Sequence, residues 1–245
     1  MLPIIETPKY TLELPSTKET VEFRPFLVKE EKILLTAIES SKEEGFKDAI
    51  SNATFDIIKN CTFGKIKPEK LPVFDNEFLF LNIRSRSRGD TIEATFVCQN
   101  DIKGTPCGTS NDVSVDINDI KVEYPEKDHS KVMINDDVGI QFKYLSAGEL
   151  KAYNKETSQT ERLFKIIVDS IDFVFDDEKV YKGSETPKKE LMNFVEALGE
   201  QHFKEIKMFF DEQPSLKHVI PYKCSECGYE EEIVIEGLES FFDLA

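Results

Sequence analysis

Two cysteine pairs constrain this chain more than any other feature. Cys224 and Cys227 stand in YKCSECGYEEEIVIEG, followed by Gly228 and a strand-like run. Cys98 and Cys107 stand in FVCQNDIKGTPCGTSNDVSVDI, where a strand leads to the first cysteine, Gly108 follows the second, and another strand begins soon after. Both segments share one layout: strand, Cys, loop, Cys-Gly, strand. A single C-x-x-C cannot close a structural zinc site, which needs four ligands. Cys98, Cys107, Cys224 and Cys227 together offer a closed tetrahedral set of thiolates. The Zn2+ expected there is structural, because no coordination position is left to activate water. Glycine after the second cysteine of each pair frees the backbone to turn its amides toward sulfur, where a β-carbon would crowd the turn. Such an ion would join distant parts of the chain, and its binding energy would become folding energy. The first pair has the long spacing C-x8-C, which keeps other readings open: four ordinary thiols, a redox C-x-x-C, or His218 as a substitute ligand. The redox reading lacks the βαβ opening of a thioredoxin-like site. Cys61, at the end of a helical segment, reads as packing.

The rest of the pattern places these pairs in an α+β fold. YTLEL and VEF flank the turn PSTK and predict an N-terminal β-hairpin. FLVKEEKILLTAIES predicts a helix with Leu27, Leu34, Leu35 and Ile38 on one face, and a second helix spans Phe46 to Asn60 with Ala49, Ile50, Ala53, Ile57 and Ile58 facing inward. In LPVFDNEFLFLNIRSRSRGD, Asp75 is expected as the N-cap of a third helix and Gly89 as its stop. Alternation then predicts a β-rich middle: Ile92–Val97, Val113–Ile117, Lys121–Tyr124, Val132–Ile134 and Gly139–Tyr144. From Ser146 the pattern turns helical, through AGELKAYNKE, ERLFKIIVDSIDFVF, PKKELMNFVEAL and GEQHFKEIKMFF. Strands Leu216–Pro221 and Glu231–Ile235 surround the last cysteine pair, and LESFFDLA reads as a short helical tail. The expected organisation is a body of residues 1–145 plus 214–245, holding a split zinc-ribbon-like element with knuckles near 98–108 and 224–228. A helical block at 146–213 would be inserted between its halves.

No pattern of catalysis emerges. His129, His202 and His218 lie far apart, without HExxH or HxH spacing. GxSxG, GxGxxG and P-loop motifs are absent from the sequence. The acidic pairs Asp136-Asp137 and Asp176-Asp177 and the run Glu230–Glu232 read as solvated loops. Hydrolytic carboxylate pairs need burial and a raised pKa. The chain is therefore expected not to be an enzyme. With 47 acidic and 31 basic residues and a net charge of −16, most of its surface repels nucleic acid and anionic membranes, so its expected partners are proteins. RSRSRG is the one basic cluster and reads as a helix end balanced by nearby acids. Phe209-Phe210 and Phe241-Phe242 read either as core or as anchors for a partner. MLPIIETPKY has no basic stretch leading into a long apolar run, so no signal peptide is expected, and no apolar run is long enough to span a bilayer.

PKYTLELPSTKETVEFRPFLVKEEKILLTAIES resembles the opening of T4-type phage baseplate proteins, the hub subunits and hub assembly proteins of contractile-tailed phages. The resemblance rests on a short hairpin ending in Phe23-Arg24-Pro25-Phe26, then Val28-Lys29-Glu30-Glu31-Lys32 opening a leucine-rich helix. LPVFDNEFLFLNIRSRSRGD, with Arg84, Ser87 and Gly89 at its helix end, and the late YxCxxCG are similar in order. The resemblance implies a role in building the baseplate hub in the host cytoplasm, through binding to other hub or tail proteins, and carries no catalytic residues. Two forms of that role stay open: a protein retained in the virion tail baseplate, or a tail assembly chaperone absent from the mature virion. A zinc-ribbon nucleic-acid-binding accessory factor is the rival from another class, and the net charge opposes it.

Overall fold

In the computed structural model, residues 6–44, 46–155, 158–238 and 240 are described. The chain forms an α+β protein divided into two compact units, residues 1–68, 73–123 and 215–245 in one and residues 69–72 and 124–214 in the other. The tail expected over LESFFDLA lies outside the described residues except for Leu238 and Ser240, and Phe241-Phe242 lies wholly outside them. None of the helices among the described residues is long and apolar enough to cross a membrane.

The first unit begins with the expected hairpin, β1 (Tyr10–Glu13) against β2 (Thr20–Phe23). Helices α1 (Val28–Glu44) and α2 (Phe46–Cys61) follow and pack together. The inward face of α1 differs from the expected one. Leu34 and Ala37 are buried with Glu30, whereas Leu35 and Ile38 are exposed. Glu30 can sit inside because Arg24 meets it with both guanidinium nitrogens, at 2.9 and 3.1 Å. The Leu27 amide also donates to Glu30, at 2.9 Å. Arg24 and Glu30 come from the two motifs that carry the family resemblance, so those motifs encode one buried ion pair. Cys61 lies beside it, fully buried, with Arg24 Nη1 3.7 Å from its sulfur. Burial pushes the Cys61 thiol up to about 12 and leaves it inert.

Helix α3 (Val73–Arg88) is the centre of this unit and contacts α2 and strands from later in the chain. Phe74, Leu79, Phe80, Leu81 and Ile83 bury more than one of its faces, as a helix surrounded by its own domain requires. It starts two residues before the expected cap. Asp75 is inside the helix and buried, and its carboxylate accepts from the amide (3.0 Å) and the hydroxyl of Ser16 in the hairpin turn. A carboxylate close to the start of a helix can serve either a cap or a partner across the fold, and here the partner wins. Gly89 does stop α3, at φ +97°. Ser87 fixes the Phe26 amide at 2.7 Å. Arg88 pairs with Glu31, and Arg86 stacks over the Tyr10 ring at 5.3 Å. The basic cluster is thus matched only in part: Arg84 Nη1 is buried without a hydrogen-bond partner among the described residues.

Beyond α3 come β3 (Thr91–Val97), the two-residue strands β4 (Asp101–Ile102) and β5 (Thr105–Pro106), β6 (Ser110–Asp116) and β7 (Lys121–Glu123). β3 and β6 form an antiparallel ribbon in continuous register from Thr91↔Asp116 to Val97↔Ser110.

The second unit contains β8 (Lys131–Met133), β9 (Gly139–Phe142), α4 (Ala147–Ala152), α5 (Gln159–Ser170), β10 (Ile171–Phe175), β11 (Val180–Lys182), α6 (Lys188–Glu196) and α7 (Glu200–Asp211). Its antiparallel sheet has the order β11-β10-β9-β8. The helix expected to run through ERLFKIIVDSIDFVF ends at Ser170, and IDFVF is a strand. Ile171, Phe173, Val174 and Phe175 are β-branched or aromatic and pair with β9 and β11. That pairing draws β8 and β9 into this unit, so the inserted unit starts at Tyr124 and is mixed, where an all-helical block from Ser146 was expected. Val132, Ile140, Phe142, Ile167, Val168 and Ile206 lie in its core. Phe209 stacks on Phe142 at 5.4 Å, and Phe210 packs edge-on to both. The Phe209-Phe210 pair is therefore core. Capping follows local chemistry: Ser146 and Glu149 form a capping box, and Ser158 caps α5.

The chain returns to the first unit in β12 (Ser215–Lys223) and β13 (Glu230–Glu236), which pair antiparallel from Lys217↔Glu236 to Lys223↔Glu230. β7 adds to the other edge of β12.

Candidate metal centre

The structure brings Cys98, Cys107, Cys224 and Cys227 together, with all four sulfurs within 4.8 Å of one another. Cys98 follows β3, Cys107 follows β5, Cys224 follows β12, and Cys227 lies in the turn before β13. Among the described residues this is the one cluster of three or more ligand-type side chains, and His218 is outside it, on β12 opposite Ile235.

The long C-x8-C spacing is resolved by a small hairpin. β4 and β5 pair across Lys103 (φ +58°) and Gly104 (φ +89°), whose left-handed backbones make the two-residue turn that fits a twisted ribbon. Gly104 N donates to Asp101 Oδ1 at 2.6 Å, and Cys107 N donates to Asn100 O at 2.8 Å. The intervening residues thus fold back on themselves, and the cysteines meet at their base.

Both knuckles then close with the same hydrogen bonds. Gly108 N donates to Cys98 O (2.9 Å), as Gly228 N does to Cys224 O (3.1 Å). Cys98 N donates to Thr109 O (2.9 Å), as Cys224 N does to Tyr229 O (2.8 Å). Gly108 and Gly228 hold nearly equal left-handed φ values, +69° and +71°. An L side chain would strain that backbone even though space is open around Gly228.

The sulfur spacing fits a metal. Four thiolates at the usual Zn–S length of about 2.3 Å stand about 3.8 Å apart along each edge of the tetrahedron. Cys98 Sγ is 3.7 Å from Cys227 Sγ, and Cys107 Sγ is 3.8 Å from Cys224 Sγ. These close pairs cross between the knuckles. Cys98 and Cys224 are buried, Cys107 and Cys227 partly so. Tyr222, Phe96, Val113 and Ile233 make an apolar jacket. The amide of Cys227 holds the Cys224 thiol down at about 6, against burial and with help from the Glu226 amide. At Cys98 the Asn100 amide favours ionisation, but burial and hydrogen bonding with Cys224 and Cys227 outweigh it and push the pKa up to about 11.

The other candidate residues carry no such convergence. Asp176 caps its own turn, accepting from the Glu178 and Lys179 amides and the Tyr181 hydroxyl. Glu230, Glu231 and Glu232 are exposed on β13. The sequence reading missed Asn100, Asn111, Thr109 and Tyr222, which all approach the sulfurs. Their residue types are common in loops and strands, and spacing alone does not single them out.

The fold and this cluster define an α+β protein whose first unit is closed by two cysteine knuckles from distant parts of the chain. Residues 7–243 match the family described as T4 bacteriophage base plate protein. The chain belongs to that family. A protein of Enterobacteria phage T4 named baseplate hub assembly protein gp26 is 24% identical over 236 residues, covering 96% of this chain and 99% of that protein. No solved structure matches the chain.

Proposed function

We propose that this chain is a non-enzymatic structural or assembly protein of the phage baseplate hub, acting by protein–protein binding during tail assembly in the host cytoplasm. The observation that carries the proposal is the family match along nearly the whole chain, supported by similarity over matching lengths to a hub assembly protein. The charge of −16 favours protein partners over nucleic acid. The cysteine cluster serves as scaffold in this reading. Cys98, Cys107, Cys224 and Cys227 hold one structural Zn2+, and the two knuckles form a split ribbon closed by it. The support is the fit of the sulfur spacing to a tetrahedral thiolate site and the matching hydrogen bonds of the two knuckles.

Deleting the gene from the phage tests the role. The expected result is heads without complete baseplates, with tails restored when the chain is supplied in trans. Normal baseplates would overturn it. Proteomics of purified particles decides between a retained hub component and a chaperone that departs. Native mass spectrometry with and without a chelator tests the metal. One zinc per chain, lost on Cys107→Ser or Cys227→Ser, is expected; a folded, metal-free parent would remove it from the proposal.

A further inference from the structure

Around the four sulfurs lies a second set of contacts that the ligand pattern does not require. Asn100 Nδ2 is 3.7 Å from Cys227 Sγ. Asn111 Nδ2 is 3.7 Å from Cys224 Sγ. In both cases the donor belongs to the first cysteine segment and the acceptor to the second, more than a hundred residues later. We propose that Asn100 and Asn111 are positioning residues of the metal centre, laying side-chain amides across the gap onto the thiolates of the opposite knuckle. The inference rests on the zinc reading above.

Asn111 is the better fixed of the two. Its Oδ1 accepts from Ser225 N at 2.8 Å, so the amide orientation is set: a flipped side chain would aim a donor at a donor. Its Nδ2 also reaches Tyr222 Oη at 2.8 Å and Thr109 O at 3.0 Å. The Tyr222 side chain is buried in the same cluster as Cys98 and Cys224. The two N–H protons of Asn111 thus point mainly at Tyr222 Oη and Thr109 O, Cys224 Sγ shares one of them at 3.7 Å, and Oδ1 anchors the knuckle backbone at Ser225.

The chemistry calls for such donors. Four thiolates around a divalent ion leave a net charge of about −2, inside a chain already at −16. Neutral N–H and O–H dipoles aimed at sulfur offset that charge without competing for the metal, and outer-shell partners of this kind typically carry about 10- to 100-fold in metal affinity. The donors also hold the sulfurs of the two segments at ligand spacing.

The test uses the full chain loaded with Zn2+ for affinity and with Co2+ for spectroscopy. Asn111→Ala and Asn100→Ala are each expected to weaken zinc binding by about 10- to 100-fold in chelator competition. Both should also move the sulfur-to-cobalt charge-transfer band to lower energy, because a thiolate that loses a hydrogen bond holds its electrons less tightly. A role in folding alone would lower affinity and leave the band in place. If Asn111→Ala does not fold, Asn100→Ala, on a partly exposed loop, decides. Variants within twofold of the parent, or an unmoved band, overturn the proposal. A parent chain that binds neither ion overturns the zinc reading and this inference together.

Discussion

Chelation, or Cys227→Ser, should remove a large and calculable part of the stability of the first unit. The cluster joins Cys98 to Cys227 across 129 residues. Treated as a cross-link, closure of a loop that long restrains the unfolded chain by about 5 kcal/mol. Whole domains are stable by only about 5–15 kcal/mol, so the loss is a major share. With a urea dependence of about 1–3 kcal/mol per molar, the midpoint of the affected transition should fall by roughly 2–5 M. Equilibrium unfolding in excess zinc and in EDTA measures the shift, and hydrogen exchange locates it. Protection should drop in β3, β6, β12 and β13 and persist in the 124–214 unit, which contains none of the four cysteines. A midpoint difference worth less than about 1 kcal/mol would falsify the staple, since loop entropy alone exceeds it. So would equal loss of protection in both units.

Three further outcomes are expected. Glu30→Gln leaves the Arg24 guanidinium buried without its counter-charge and should cost the first unit about 3 kcal/mol in urea unfolding. Burial, the largest single influence, pushes the Glu30 carboxyl up, but the Arg24 and Leu27 hydrogen bonds and the Arg24 and Lys29 charges together hold it below its ordinary 4.5. A depressed folded pKa means stability present above 4.5 and lost as pH falls through the folded value, so an acid titration should show a loss below pH 4.5 that Glu30→Gln flattens. Gly183→Ala places a β-carbon 2.1 Å from the Ile171 carbonyl oxygen. Thermal unfolding should show the second unit losing about 1–3 kcal/mol. Gly104→Ala, at φ +89° in the β4–β5 turn, should cost about 1 kcal/mol by the same assay, and native mass spectrometry should show a lower zinc load as Cys98 and Cys107 lose their alignment.

Much of the fold was legible because its elements are locally determined. The N-terminal hairpin, α1, α2 and the β3–β6 ribbon announce themselves through period and turn chemistry. That the four cysteines would come together was legible for a different reason: both pairs carry the same Cys-Gly turn between strands, so the two segments can be matched despite unequal loops. Three things were hidden. IDFVF continues the apolar period of α5, and only β9 and β11 on either side make it a strand. Asp75 has the residue type and place of a cap, and its distant partner Ser16 cannot be inferred from neighbours. Glu30 looks like a solvated residue of an amphipathic helix until Arg24 is placed against it. In each case the deciding contact joins residues that pattern reading treats separately. The asparagines at the cysteine cluster belong with these, since they become visible only once the knuckles meet.

The order of the two knuckles along the chain also sets a clock. Cys107 and Cys224 are 117 residues apart, and the whole of the 124–214 unit is encoded between them. At synthesis rates of about 5–20 residues per second, the first knuckle waits roughly 6–23 s on the ribosome for its partner. The second unit, with all its strands and helices already made, can fold within that interval, while β12, β13 and the last two sulfurs do not yet exist. The first unit is therefore finished last, although it is begun first, and any binding surface that depends on its closed form becomes available only after the inserted unit has been translated.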